Sequence, residues 1–250
     1  MKAFILAAGL GTRLRPWTLE HPKALVPVGG MPMLERVILR MRDQGFDDIT
    51  VNVHHFAGQI VDFLNTRDFG VSIHVSDERE RLLDTGGAIL HASRFLAADP
   101  APFLVHNVDI LSDAPLASLM QKHIGSGRDI SLVTSERKSS RRLLFDADGT
   151  LAGWHNLATD EYRPEGFCRH AEDGLAENAF SGIYVVSANA VDSFREYADR
   201  IGSSSFPLMD YLMQRPQKAD IGEIRLDSLN LIDIGKPETL GLAESLWSGK

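Results

Sequence analysis

The chain has 250 residues, 44% hydrophobic and 24% charged, an ordinary balance for one large or two small folded domains. Its 26 basic and 34 acidic side chains leave a formal net charge of −8, which argues against non-specific nucleic-acid binding but not against holding a small anion on a few cations and backbone N–H groups. The single cysteine, Cys168, excludes an internal disulfide and a cysteine-built metal cluster and suits a reducing cytoplasm.

Ala3–Ala8 is apolar throughout, the pattern of a strand buried on both faces. The run is too short for a secretory signal, and no stretch approaches the roughly 18 apolar residues of a membrane span. The expectation is a compact cytoplasmic protein. Met33–Gln44 places Leu34, Val37, Ile38 and Met41 at helical spacing and stops at Gly45. Asp48–Val53 predicts a strand, Ala57–Leu64 a helix, Val71–Val75 a strand and Gly87–Phe95 a helix. Phe103–His106 and Ile130–Thr134 are further strands. Such alternation implies a mostly parallel sheet covered on both faces. In the second half, FDADGTLAGW predicts a hairpin, with Leu143–Asp148 and Leu151–Trp154 joined at an Asp-Gly turn. A strand at Phe180–Val186, a helix at Ala190–Ala198, a closing pair of strands at Ile221–Leu226 and Leu229–Ile234, and a helix at Pro237–Leu246 complete the reading. These additions should wall one side of a cleft.

After the first strand comes Gly9-Leu10-Gly11-Thr12-Arg13. It is not the dinucleotide fingerprint, whose third glycine is Leu14 here, nor is a Walker loop present. Gly9 and Gly11 allow close approach of the backbone, and successive N–H groups in such a loop form a concave anion site. Arg13 can fork onto phosphate oxygens. Pro16, Pro22 and Pro27 stiffen the chain beyond Arg13 and hold Lys23 over the same cleft. A plain structural turn with surface cations would explain Gly-x-Gly by itself, but not the whole pattern G-x-G-T-R-L-x-P-x-T-x-x-x-P-K-x-L-x-P-x-x-G-x-P. Asp109 ends the apolar run FLVHNV, where α/β sheets bind ligands, and Asp233 sits similarly after NLI. Either could equally be a turn or cap aspartate.

Gly9 to Pro32, with LLDTGGAI at 82–89, NVD at 107–109, FSGIYVV at 180–186 and LIDIGKPETL at 231–240, resembles the sugar-1-phosphate nucleotidylyltransferases. The likeness covers most of the chain. It is closest to short members such as the N-acetylmuramate-1-phosphate uridylyltransferases and the short mannose- or heptose-1-phosphate guanylyltransferases. The resemblance implies a Rossmann-like mixed, mostly parallel sheet flanked by helices, of the nucleotide-diphospho-sugar transferase type, without a C-terminal β-helix. One domain is expected, with a nucleotide-binding part over about 1–110 and a sugar-binding part over about 111–250. The implied reaction is attack of a sugar 1-phosphate on the α-phosphorus of a nucleoside triphosphate, with UTP favoured over GTP. Mg²⁺ is the implied cofactor, and its ligands by resemblance are Asp109 and Asp233.

The same resemblance distributes the other roles. Arg13 and the Gly9–Thr12 amides, Gly11 and Thr12 included, should hold the β- and γ-phosphates, with Ala8 also nucleotide-binding, and Lys23 should bridge the α-phosphate and the incoming sugar phosphate. Asp84, Gly87 and the Ala7–Gly9 amides should read the base, although Asp84 or Thr85 could simply cap a helix. Asn107, Asn156, Glu177, Ser181 and Gly182 are the sugar-side candidates, with a bulge as the other account of Gly182. The chain departs from the family at Val108, at Ala176-Glu177-Asn178-Ala179 and at Lys236. Trp17, Trp154 and His155 are assigned to the core, and the charged run Glu136–Arg142 to a solvated loop. The partners are a nucleoside triphosphate and a sugar 1-phosphate, in a monomer or homodimer, with neither nucleic acid nor membrane. Two alternatives stand: a phosphocholine cytidylyltransferase-like enzyme, and a non-catalytic nucleotide-binding regulatory subunit.

Overall fold

The apolar run at the N-terminus becomes the middle of a sheet. The computed structural model describes residues 1–167, 174–214, 219–235 and 237–247; Cys168 and Lys236, both singled out in the sequence, lie outside them. In chain order the strands and helices are β1 (Lys2–Leu6), β2 (Pro27–Val28), β3 (Met31–Pro32), α1 (Met33–Asp43), β4 (Asp48–Val53), α2 (Ala57–Asn65), β5 (Ser72–Asp77), α3 (Asp84–Leu96), β6 (Phe103–Asn107), β7 (Ile110–Ser112) and α4 (Leu116–Ser126). There follow β8 (Ile130–Ser135), β9 (Arg141–Phe145), β10 (Leu151–Asn156), β11 (Glu161–Arg163), β12 (Ala176–Val186), α5 (Val191–Ile201), α6 (Leu208–Gln214), β13 (Ile221–Arg225), β14 (Leu231–Asp233) and α7 (Pro237–Trp247).

β1 lies parallel between β4 and β6, with Ala3 opposite Ile49 on one side and Leu104 on the other. β5 extends the sheet parallel to β4. Beyond β6 the direction reverses: β12 is antiparallel to β6 and to β8, and β13 runs parallel to β8. Successive side chains of a strand face opposite ways, so each strand feeds two cores. Ala3, Ile5, Leu104, Ile183 and Val185 join one apolar cluster with α1, α2 and α4. Phe4, Phe103, Val105, Tyr184 and Val186 join the other with α3, α5 and α6. The expected mixed, mostly parallel sheet with helices on both faces is what forms.

The second half adds β11 and α6 to the expected elements and pairs its last strands differently. The predicted closing strands do not pair with each other. β13 continues the main sheet beside β8, while β14 pairs antiparallel with β7, Asp233 opposite Ile110. The predicted hairpin is present, as β9 and β10, and β11 adds a third strand to it. This small antiparallel sheet grows from the first residues of β12, where Glu177 faces Leu144. Among the described residues no helix is long and apolar enough to cross a membrane.

Candidate active site

The loop after β1 is held from beneath. Asn52, near the end of β4, accepts hydrogen bonds on Oδ1 from the N–H groups of Ala7 at 2.6 Å and Ala8 at 3.2 Å. Three single 3₁₀ turns follow, at Thr12–Leu14, Trp17–Leu19 and Lys23–Leu25. Gly11 is left-handed, with φ +62°. A Cβ there would meet Lys23 Cβ and Thr18 Cγ2, each at 2.9 Å. The glycine therefore lets the loop close directly on the stem of Lys23, and Thr18 Oγ1 donates to Gly11 O at 2.9 Å to keep it closed. Thr12 and Arg13 remain exposed.

A cavity of about 270 Å³ opens where β1, β4, β5 and β6 end. Leu6 to Gly9 and Lys23 form one wall, Asn52 and Glu78 the floor beneath β4 and β5, Leu82, Asp84 and Thr85 a second wall, and Asn107 to Asp109 a third. The carboxyl ends of parallel strands are where such sheets hold ligands. The floor is a buried polar relay: Asn52 Nδ2 donates to Glu78 Oε1 at 2.8 Å, and the Leu83 N–H donates to Glu78 Oε2 at 3.2 Å. Burial pushes the Glu78 carboxyl above its ordinary range, against these hydrogen bonds. Sequence reasoning missed Asn52 and Glu78. The available signal was one amide inside the apolar strand DITVNV.

The Lys23 ammonium is bonded to the Asp109 carboxylate, across the cavity mouth. Asp233 reaches the same place through the backbone. β14 pairs with β7, and the Ile234 N–H donates to the Asp109 carbonyl at 3.0 Å. Asp233 Oδ1 accepts from the Gly235 N–H at 2.8 Å. Arg13 approaches from the loop: a Cβ on Gly235 would lie 2.5 Å from Arg13 Nη2 and 2.8 Å from Asp233 Oδ1. Glycine at 235 leaves the room that this guanidinium takes. Residues 13, 23, 109 and 233, far apart in sequence, thus share one rim.

Other predicted residues sit elsewhere. α3 starts at Asp84 itself, whose φ is +59°; its Oδ1 accepts the Thr85 N–H at 2.6 Å, and neither residue is the cap. Gly87 is buried beneath Ser204, not on the cavity wall: a Cβ there would come within 2.1 Å of the Ser204 carbonyl oxygen. Gly182, φ +78°, falls in the bulge of β12, and its missing side chain admits Asn107, whose Nδ2 would be 2.9 Å from a Cβ. Its neighbour Ser181 donates to the Val133 carbonyl at 2.7 Å, a bond within the sheet. Asn156 and Glu177 belong to the small antiparallel sheet and do not line the cavity. His155, buried there, stacks on Tyr162 at 4.0 Å and lies 3.1 Å from Asp160 and 3.6 Å from Glu177. That is the core histidine expected.

Residues 2–143 match the family model described as nucleotidyl transferase. The chain is 29% identical to a mannose-1-phosphate guanyltransferase of Gibberella zeae over 246 residues, 95% of this chain and 62% of that protein. It spans less than two thirds of that relative's length. It is 30% identical to an N-acetylmuramate alpha-1-phosphate uridylyltransferase of Caulobacter vibrioides over 188 residues, 73% of this chain and 74% of that one. In fold it matches HddC from Yersinia pseudotuberculosis with a TM-score of 0.76, at 22% identity and covering 98% and 99% of the two chains. With the model spanning more than half of its residues and the cavity at the strand ends that the model's segment supplies, the chain belongs to the nucleotidyl transferase family.

Proposed function

We propose that this protein transfers a nucleotidyl group from a nucleoside triphosphate to a sugar 1-phosphate, releasing pyrophosphate. The observation that carries the reading is the Lys23 ammonium, fixed between the Gly11 loop and Asp109 at the mouth of the cavity. An acceptor phosphate oxygen forms a bond to the α-phosphorus, and the bond from that phosphorus to the bridging oxygen breaks, its electron pair leaving with pyrophosphate. Two anions must meet, so alignment and charge neutralisation supply the catalysis, and no protein nucleophile is required. The Gly9–Thr12 amides and Arg13 hold the β- and γ-phosphates. Lys23 exchanges its carboxylate partner for the α-phosphate and the acceptor. The cavity floor at Asn52 and Glu78, with Asp84, takes the base.

Asp109 and Asp233 fit a divalent cation: both are hard oxygen donors on adjoining backbones, beside a place for phosphate oxygens. A bound Mg²⁺ would neutralise charge on the triphosphate.

Pyrophosphate release measured across the four triphosphates and several sugar 1-phosphates tests the reading. UTP with a sugar 1-phosphate is expected to lead, ahead of GTP. Phosphocholine as the best acceptor would give the cytidylyltransferase alternative, and nucleotide binding without release under every condition would leave a non-catalytic binder. Lys23→Ala is expected to lower turnover about 10²- to 10⁴-fold with the melting temperature little changed. An unaltered turnover number would remove Lys23 from the chemistry.

A further inference from the structure

The charged run after β8 is not wholly solvated. Arg137 is half-buried, and its Nη2 donates to the Phe180 carbonyl at 2.7 Å. Its Nε is buried without a hydrogen-bond partner. Phe180 opens the bulge of β12, and two residues on, Gly182 packs against the Asn107 amide and Ile110. Asn107 lines the cavity; Ile110 follows Asp109 and pairs with Asp233. Arg137 is therefore suspended from the strand that flanks Asp109 on the side away from Asn52 and Glu78. In sheet order the proposed base floor lies over β4 and β5, and β12 lies on the other side of β6 and β1.

The charges on this flank point the same way. Burial works against the Arg137 cation, the Asp233 carboxylate works for it, and Arg142 adds a like charge. Neither guanidinium forms an ion pair among the described residues. A half-buried guanidinium with an unpartnered Nε, beside a second cation, leaves a donor free for a further anion.

We propose that Arg137, with Arg142 beside it, contacts the phosphate of the sugar 1-phosphate, dividing the acceptor anion between this flank and Lys23. The assignment rests on the proposed nucleotidyl transfer. It gives the second-half extension a chemical role that the family's triphosphate loop does not cover.

The test is steady-state kinetics of Arg137→Ala and Arg137→Lys against the wild type, varying each substrate in turn. Arg137→Ala should raise KM for the sugar 1-phosphate about 10- to 100-fold while KM for the triphosphate stays within about twofold, the range expected for losing one charge-assisted contact. Arg137→Lys should recover part of the loss. Inorganic phosphate should compete with the acceptor in the wild type and weaken as an inhibitor in both variants. Equal rises in both KM values, or a lower melting temperature with unchanged KM values, would make Arg137 a structural tie to Phe180 and overturn the proposal. A wild type that releases no pyrophosphate from any triphosphate would instead bring down the parent reading, and this one with it.

Discussion

Gly235 shows how much of the site is set by absent atoms. Arg13 occupies the space a side chain would fill, next to Asp233. Gly235→Ala should push the guanidinium away and raise KM for the triphosphate about tenfold, by loss of one charge-assisted contact, while the melting temperature moves little. Unchanged triphosphate kinetics would mean that Arg13 does not serve the phosphates. Residues of this kind are partly legible in sequence. Gly9, Gly11, Arg13 and Lys23 stand in one continuous loop pattern and can be read together. Asn52 and Glu78 cannot be paired that way, because each is one polar residue whose partner lies on a distant segment of the chain. Arg137 was hidden by its neighbours: a run of arginines, lysine and serines reads as solvent-facing, and only the bond to Phe180 shows otherwise.

Among the elements, α3 is the one whose glycines changed meaning. Gly86 and Gly87 open it, and both N–H groups donate to the Phe206 carbonyl, at 2.9 and 3.2 Å. Cβ atoms there would strike the Phe206 ring at 2.5 Å and the Ser204 carbonyl at 2.1 Å. The helix start is thus docked on the segment between α5 and α6. Gly87→Ala should destabilise the protein by about 2–4 kcal/mol, since backbone must move to admit the methyl group. A thermal melt unchanged from wild type, with a raised KM for the triphosphate, would return Gly87 to the nucleotide site. The strands were the more legible elements. β1, β4, β6 and β8 are rich in apolar residues because each is buried on two faces. β7, β11 and β14 have three residues each, too few to show a period, and the partner of β14 depends on tertiary context.

For the molecule as a whole, the two cores have a consequence for pH. His106 lies inside the sheet and donates from Nδ1 to the Asn107 carbonyl at 2.8 Å. His123 bridges Ser131 and Ser187 at 2.8 and 3.0 Å. Burial pushes both imidazoles down to about 4. The unfolded chain therefore takes up protons first as pH falls below about 6.5, and stability is lost from there down to about 4, at about 1.4 kcal/mol per pH unit for each histidine. Unfolding free energy should drop by up to about 4 kcal/mol between pH 7 and pH 5. Glu78, pushed the other way, favours the folded state at low pH and loses that contribution as pH rises, so it blunts the trend. Chemical denaturation at the two pH values checks this; a flat profile would mean that one or both histidines are charged in the fold.

The pairing of β14 with β7 also joins two distant parts of the chain at the cavity rim. Every residue that lines the cavity belongs to the first 109 residues, whereas Asp233 is brought to its rim from the other half of the sequence. The rim carries its second carboxylate only where β14 has joined β7. Unzipping β14 from β7 would take one carboxylate off the rim without removing any residue that lines the cavity.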